Sequence, residues 1–383
     1  MQNNKCILLI TSSYPASGND LRAAAGVFVR DFAKNLAQKA TVIVLTQRTS
    51  KHEQPSTNED GILVIRFPWR GGETPLSTIS FPKDTLLILS VIFQGLWSLL
   101  KLRHKFKIDY ALAFWTIPSG FWALCLKWFF KIPYSVWCLG SDIWDYKNNF
   151  ITRHMLKLIF NQAHLLFADG YNLKRDVELI SGKTCYFLPT SRCLPERVLI
   201  HAEIRQGKNN YLFIGRYHQN KGPDILLEAI SLLEPFIREK VHFHFFGGGQ
   251  IKESLKEFIK SKLLNDIVTL NDYIDEQHAV AYLKACNALI IPSRIESIPV
   301  VLSDALQTNC PIIATDVGDM GFLLRHYNAG MVVPPESPEE IAKAIASDVI
   351  ERRDYSIGRN KLFEVFNLAK ATDIFFSHII NKI

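Results

Sequence analysis

Two stretches of this chain carry residue types that together could hold a phosphorylated, hydroxyl-rich molecule. In the first, Gly215-Arg216 is followed by Tyr217-His218-Gln219-Asn220-Lys221-Gly222-Pro223-Asp224. Arg216 offers a planar fork of donors and Lys221 a mobile ammonium, both close to a helix start. Gly215 and Gly222 let a backbone approach closely, and the arrangement suits a diphosphate. In the second, Glu296 stands just before Ser297-Ile298-Pro299-Val300, and Asp304 follows eight positions later. The first N–H groups of a helix are unpaired and attract anions, while carboxylates accept hydrogen bonds from sugar hydroxyls. Alone, the second stretch also reads as an ordinary helix start with a solvated carboxylate.

These residues need strands and helices to position them. Ala288 to Ile291 is a short apolar run typical of a buried parallel strand, ended by Pro292 and Ser293. Pro299 suits a first helical turn, Val300 to Thr308 the helix, and Pro311 restarts the chain as the strand Ile312 to Thr315, with Gly318 in the following turn. This strand–loop–helix–strand unit binds ligands at the carboxyl end of its first strand. Asn210 to Ile214 is a strand that delivers Arg216, and Ile225 to Leu233 is the helix behind Lys221. Val241 to Phe246 enters Gly247-Gly248-Gly249, but the full dinucleotide fingerprint is missing. His242 and His244 share one face of that strand, as zinc ligands do, yet no third ligand has a suitable spacing, so polar filling of the face is the safer reading.

The earlier half repeats the βα alternation. Cys6 to Ile10 reads as a strand and Thr11 to about Leu21 as a long polar loop; Gly26 opens an amphipathic helix through Val27, Phe28, Phe32 and Leu36, and Thr41 to Leu45 is the next strand. Tyr110 to Trp115, Tyr134 to Cys138, Leu165 to Ala168 and Thr184 to Leu188 continue the series. Thr85 to Leu102 is almost wholly apolar, near the lower length for a membrane span; within a βα alternation it reads instead as a buried or membrane-lying helix. Ser119 to Phe130 is an aromatic-rich helix interrupted by Lys127 and followed by Lys131, a pattern of core packing and also of a helix at a headgroup layer. Pro189 to Asn210 is polar and irregular, which places a domain boundary near residue 205.

At 383 residues, with 48% hydrophobic and 21% charged residues, the chain has room for two globular domains. Seven cysteines without a Cys-x-x-Cys pair point away from a disulfide framework and toward a reducing cytoplasm. The net charge of +7 is uneven: residues 1–200 hold 24 Lys and Arg against 14 Asp and Glu. A basic first half suits an anionic surface. No nucleic-acid-binding motif accompanies it, so nucleic acid is not expected as a partner.

In order, Gly-Arg-x4-Lys-Gly-Pro-Asp, Phe-Gly-Gly-Gly, Ile-Pro-Ser-Arg-Ile-Glu and Pro-Ile-Ile-Ala-Thr-Asp-Val-Gly resemble the donor domain of the retaining glycosyltransferases of family 4. The likeness is close over residues 210–345 and looser earlier, through Tyr14-Pro15, Gly26-Val27-Phe28-Val29 and Gly140-Ser141-Asp142. The resemblance implies an α/β protein of GT-B fold: two Rossmann-like doubly wound parallel-sheet domains facing across a cleft. Residues 1–205 would bind the acceptor, with Asp142 on that side, and 206–365 the nucleotide sugar. A last helix, about 366–383, would pack back on the first domain.

By the same resemblance Arg216 and Lys221 would hold the diphosphate and Glu296 the donor sugar. Gly215, Ser297, Ile298, Pro299 and Val300 would line the donor site, Asp304 would take the ribose, and Gly26 would close over the diphosphate. The implied reaction moves a hexose from a UDP- or GDP-linked sugar, a substrate rather than a cofactor, to a hydroxyl of a glycan or lipid-linked acceptor. It would retain configuration and need no metal. The expected location is the cytoplasm, peripheral on the inner face of an anionic membrane. Several departures stand out: Asp304 replaces a Glu, Leu139 a His, Thr190-Ser191 an Asn-Gly, and Asp319 and Phe322 a Gly and a Glu. The Leu139 side chain cannot hydrogen-bond, which keeps open the alternative of a weak or inactive GT-B protein that binds a membrane or partner.

Overall fold

The computed structural model describes residues 5–16, 26–72, 74, 76, 79, 82–195 and 197–382. The polar loop expected over Thr11 to Leu21 therefore lies outside the described residues from position 17 onward. The chain forms two compact units, Met1–Pro189 with Leu368–Ile383, and Thr190–Asn367.

Among the described residues the first unit is built on an eight-stranded sheet. Its strands are β1 (Cys6–Ile10), β2 (Thr41–Gln47), β3 (Ser56–Glu59), β4 (Ile62–Phe67), β5 (Tyr110–Phe114), β6 (Tyr134–Cys138), β7 (Leu165–Ala168) and β8 (Cys185–Phe187). They lie in the order β3-β4-β2-β1-β5-β6-β7-β8, all parallel except that β3 pairs antiparallel with β4. The register sets Leu9 between Val44 and Leu112. Five of the strands are buried throughout or nearly so, which is why they read as unbroken apolar runs rather than alternating ones. The β3–β4 hairpin gave no such signal, because β3 is the polar edge sequence Ser-Thr-Asn-Glu.

Helix Val27–Ala37 turns Phe28 and Phe32 onto Phe114 and Trp137. The C-terminal helix Leu368–Ile379 joins the same layer: Phe375 meets Phe32 and Phe167, and Lys39 pairs with Asp373 at 2.7 Å. Thr85–Lys105 is a single helix, long and apolar enough to cross a membrane by length and composition. It is not enclosed in the core: it buries Val91, Gly95, Leu99 and Leu102 and leaves much of its other surface open. The aromatic-rich helix begins at Phe121, after a kinked turn over Thr116–Gly120.

Among the described residues the second unit holds six parallel strands: β9 (Asn209–Ile214), β10 (Val241–Phe246), β11 (Val268–Asn271), β12 (Ala288–Ile291), β13 (Ile312–Thr315) and β14 (Met331–Val333). Their order is β11-β10-β9-β12-β13-β14. The chain winds outward from β9 one way and from β12 the other, so the strand order reverses between these neighbours. In an open α/β sheet the crevice at the carboxyl ends of such a pair is where ligands bind.

The division falls after Pro189 rather than near residue 205. The polar stretch is not a slack linker, because Arg192 and Leu194 are fastened to the helix Val300–Gln307. Gln307 donates to the Arg192 carbonyl at 2.6 Å and accepts from the Leu194 N–H at 3.3 Å.

Candidate functional site

β9 ends at Ile214, and Gly215 and Tyr217 just after it rest on the glycine turn after β10. A side chain at Gly247 would bring its Cβ within 1.9 Å of the Gly215 carbonyl oxygen. Tyr217 N–H donates to Gly248 at 2.9 Å, and the Tyr217 hydroxyl to Asn271 at 2.6 Å. Gly247 and Gly249 thus permit close packing of backbone on backbone around Gly215 and Tyr217, and Gly248 makes room for the Tyr273 ring. His242 and His244 point into this unit, not toward a ligand: they bond Thr269 at 2.8 Å and Asn210 at 2.9 Å. Burial lowers both imidazoles, His244 to about 4. Among the described residues, no cluster of three or more His, Cys, Asp or Glu side chains could hold a metal ion.

The loop after Tyr217 closes in a tight turn, Gln219–Lys221, and Gly222 follows with φ +67°. A Cβ at Gly222 would stand 2.0 Å from the carbonyl oxygen of Pro292. That contact presses the Lys221 turn onto the loop that leaves β12. Arg294 fastens the two: its N–H donates to Asn220 at 2.8 Å, and its guanidinium grips Gln219, Asp224 and Glu336 at 2.6 to 2.8 Å. Behind the β12 loop, Thr315 donates its hydroxyl to the Ser293 carbonyl at 2.6 Å. Gly318, at φ +57°, lies so close that a Cβ would come 2.2 Å from the Glu296 carbonyl.

These supports bring Lys221 and Glu296 together as an ion pair, with side chains only 25% and 15% exposed. Burial first, and the Arg216 charge second, lower Lys221 from the ordinary lysine value to about 8. The Glu296 carboxylate stands beside it as the counter-charge. Arg216 is exposed at the carboxyl end of β9. Ser297, Ile298 and Pro299 are buried, and the helix starts at Val300 with Pro299 just outside it. The second unit therefore gathers Arg216, Lys221, Glu296 and this helix start at its topological switch point.

Asp304 is placed differently from the ribose contact expected of it. It is buried, and both carboxylate oxygens accept from Arg192, from Nε at 2.8 Å and Nη2 at 2.5 Å. Glu276 lies 3.8 Å from the same guanidinium. Neither Arg192 nor Arg294 was singled out from the sequence, because their partners lie 112 and 70 residues away.

In the first unit Gly26 caps its helix at φ +81°, where a Cβ would meet the Ser13 carbonyl at 2.4 Å. Asp142 is not presented to an acceptor. It is buried and accepts from Thr116 N–H at 2.7 Å, Thr116 Oγ1 at 2.8 Å and Leu139 N–H at 3.0 Å. Burial raises its carboxyl and those bonds pull it back, the behaviour of a brace between the loops after β5 and β6.

Two family models match, Glycosyl transferase 4-like over residues 21–170 and Glycosyl transferases group 1 over residues 200–356. The chain belongs to the family 4-type glycosyltransferases. An uncharacterised glycosyltransferase of Methanocaldococcus jannaschii is 23% identical over 241 residues, 62% of this chain and 64% of the relative. Across the first curated relatives the matched stretches span 31% to 64% of the relatives' own lengths. Among solved structures, sucrose-phosphate synthase from Thermosynechococcus elongatus superposes with TM-score 0.76 at 18% identity, over 99% of this chain and all of the other. HepE of Anabaena, in complex with UDP and glucose, gives TM-score 0.71 at 15% identity over 98% and 99% of the two chains. These likenesses establish the GT-B fold for this chain.

Proposed function

We propose that the protein transfers a hexose from a nucleoside diphosphate sugar, UDP- or GDP-linked, to a hydroxyl of a lipid-linked or growing glycan. The observation that carries this reading is the convergence of Arg216, Lys221 and Glu296 at the switch point of the second sheet. Two cations beside a helix start match the leaving diphosphate, and a carboxylate on the same loop matches the hydroxyls of the sugar. HepE, a structural neighbour, is seen with UDP and glucose, which supports a nucleotide sugar as donor.

In this reading the bond between the anomeric carbon and the diphosphate oxygen breaks as positive charge builds on the sugar. Arg216 and Lys221 stabilise the departing diphosphate, the part of the charge that must be neutralised for the bond to open. The diphosphate oxygen, on the same face, takes the proton from the acceptor hydroxyl, which then bonds the anomeric carbon with retention. Because the leaving group is the base and the two side chains neutralise it, neither a metal ion nor a further protein base is required. Among the described residues no two cysteines form a disulfide and six of the seven are buried, which fits a reducing cytoplasm.

One observation favours a second reading, a binding protein of little activity: Asp304 is already engaged by Arg192. A thermal-shift screen with UDP, GDP and ADP sugars, followed by measurement of nucleotide release, separates the two. Release that disappears in Arg216→Ala and Lys221→Ala supports transfer. Binding without release under any acceptor supports the second reading, and no binding of any nucleotide sugar removes both donor-site assignments.

A further inference from the structure

The helix Thr85–Lys105 carries a surface that the transfer reaction does not use. One face packs on the first unit's core. Gly95 is buried there, where a Cβ would lie 2.3 Å from the Trp122 ring, and Trp122 Nε1 donates to the Ile92 carbonyl at 3.1 Å. The opposite stripe is Leu86, Leu89, Phe93 and Trp97, exposed by 68%, 57%, 71% and 52%. Scattered apolar side chains on a surface are ordinary; four large ones in line over successive turns are not. The stripe continues into Lys101, whose ammonium lies 5.2 Å from the Trp97 ring.

Helix Phe121–Phe130 runs beside it in the same direction, since Trp122 meets Gly95 and Phe130 meets Arg103 at 5.6 Å. At its end Trp128 and Phe129 are exposed, flanked by Lys127 and Lys131. Residues 85–107 and 119–133 together contain six Lys and Arg and no Asp or Glu. The cations therefore collect where both helices finish, next to exposed aromatic rings.

We propose that this face docks on an anionic lipid bilayer. The Thr85–Lys105 helix lies along the interface, the Leu86–Trp97 stripe enters the headgroup–acyl boundary, and Lys101, Arg103, Lys105, Lys107, Lys127 and Lys131 stay at the phosphates. A span is ruled out by the buried face, which is tied to the protein over three turns. A lipid surface is favoured over a protein partner by the pairing of tryptophan with lysine and arginine, free of acidic residues, that marks membrane interfaces. The proposal stands apart from the transferase reading, because vesicle binding is measured without donor or turnover.

The test is co-sedimentation of the full chain with phosphatidylcholine vesicles, alone or containing about a third phosphatidylglycerol, at low and high salt. Binding to the anionic vesicles should exceed binding to neutral ones by about tenfold or more, and part of it should survive high salt. Phe93→Glu with Trp97→Glu should lower the partition about tenfold without changing the melting temperature. Lys101→Glu with Lys105→Glu should erase the preference for anionic lipid. If the apolar variant fails to fold, brominated phosphatidylglycerol gives the same readout: it should quench tryptophan emission in the wild type, and less in Trp97→Phe. No binding to anionic vesicles at low salt would overturn the proposal. So would full binding by the Phe93→Glu, Trp97→Glu protein, or a dimer in solution that Phe93→Glu dissociates while vesicles go unbound.

Discussion

Before any donor arrives, Lys221 is held by Glu296, so an incoming diphosphate has to take the ammonium away from a carboxylate. Glu296→Gln keeps the side-chain shape and removes the competing charge. The pair is 25% and 15% exposed, neither in bulk water nor in a dry interior. At an effective dielectric of about 20, two unit charges about 4 Å apart interact by about 4 kcal/mol, most of it offset by the desolvation that accompanies burial. A residue of about 1–2 kcal/mol is left, or about tenfold in affinity. The expectation is that Glu296→Gln binds sugar-free UDP or GDP about tenfold more tightly, while turnover of the matching nucleotide sugar falls about a hundredfold or more, since the contact to the sugar is lost. Lys221→Ala should do the reverse to the nucleotide, weakening it by about 1.5–3 kcal/mol, the value of a charge-assisted contact. Isothermal titration of both nucleotides against the three proteins reads all of this. Equal or weaker nucleotide binding by Glu296→Gln would refute the competition.

Other consequences follow from the same supports. Because Lys221 titrates near 8, nucleotide affinity should fall as pH rises through about 8, by up to about tenfold per unit, and Lys221→Arg should flatten the profile. The sign for stability is opposite: between about 8 and 10.5 the unfolded chain holds a proton that native Lys221 has lost, so this group favours the native state more as pH rises, a gain absent from Lys221→Met. Gly318→Ala should cost about 2–3 kcal/mol in urea unfolding and lower turnover at least about tenfold, because its Cβ has no room under the Glu296 loop. Arg192→Ala should destabilise the protein by about 2–4 kcal/mol by stranding Asp304, and adding Asp304→Asn should recover part of that in a double-mutant cycle.

The donor-side elements were legible because they obey local rules. The run Ala288–Ile291, the proline beside a helix start and the restart at Pro311 are spaced as a buried strand, helix and strand must be, and the fold follows them. Arg216, Lys221 and Glu296 could be named for the same reason: each sits within a few residues of a strand end or helix start. The β3–β4 hairpin was not legible, because a polar edge strand has no apolar period to read. The domain boundary was misread because a polar, proline-containing segment resembles a linker whether or not side chains far along the chain hold it down.

What could not be read was which side chains are already spoken for. Asp304 keeps the acidic character expected of a ribose contact, yet the structure commits both of its oxygens to Arg192. The shorter side chain and the arginine belong together physically: the pair is bidentate and almost dry, so the charge of Asp304 is neutralised within its own unit. A ribose approaching this helix would meet a guanidinium–carboxylate pair in place of a lone carboxylate. On the proposed function, recognition of the nucleotide would depend less on Asp304 than on the Lys221–Glu296 exchange and on the backbone at Ser297 to Val300. The Arg294 clamp makes that exchange local, because it ties together the two loops on which Lys221 and Glu296 stand.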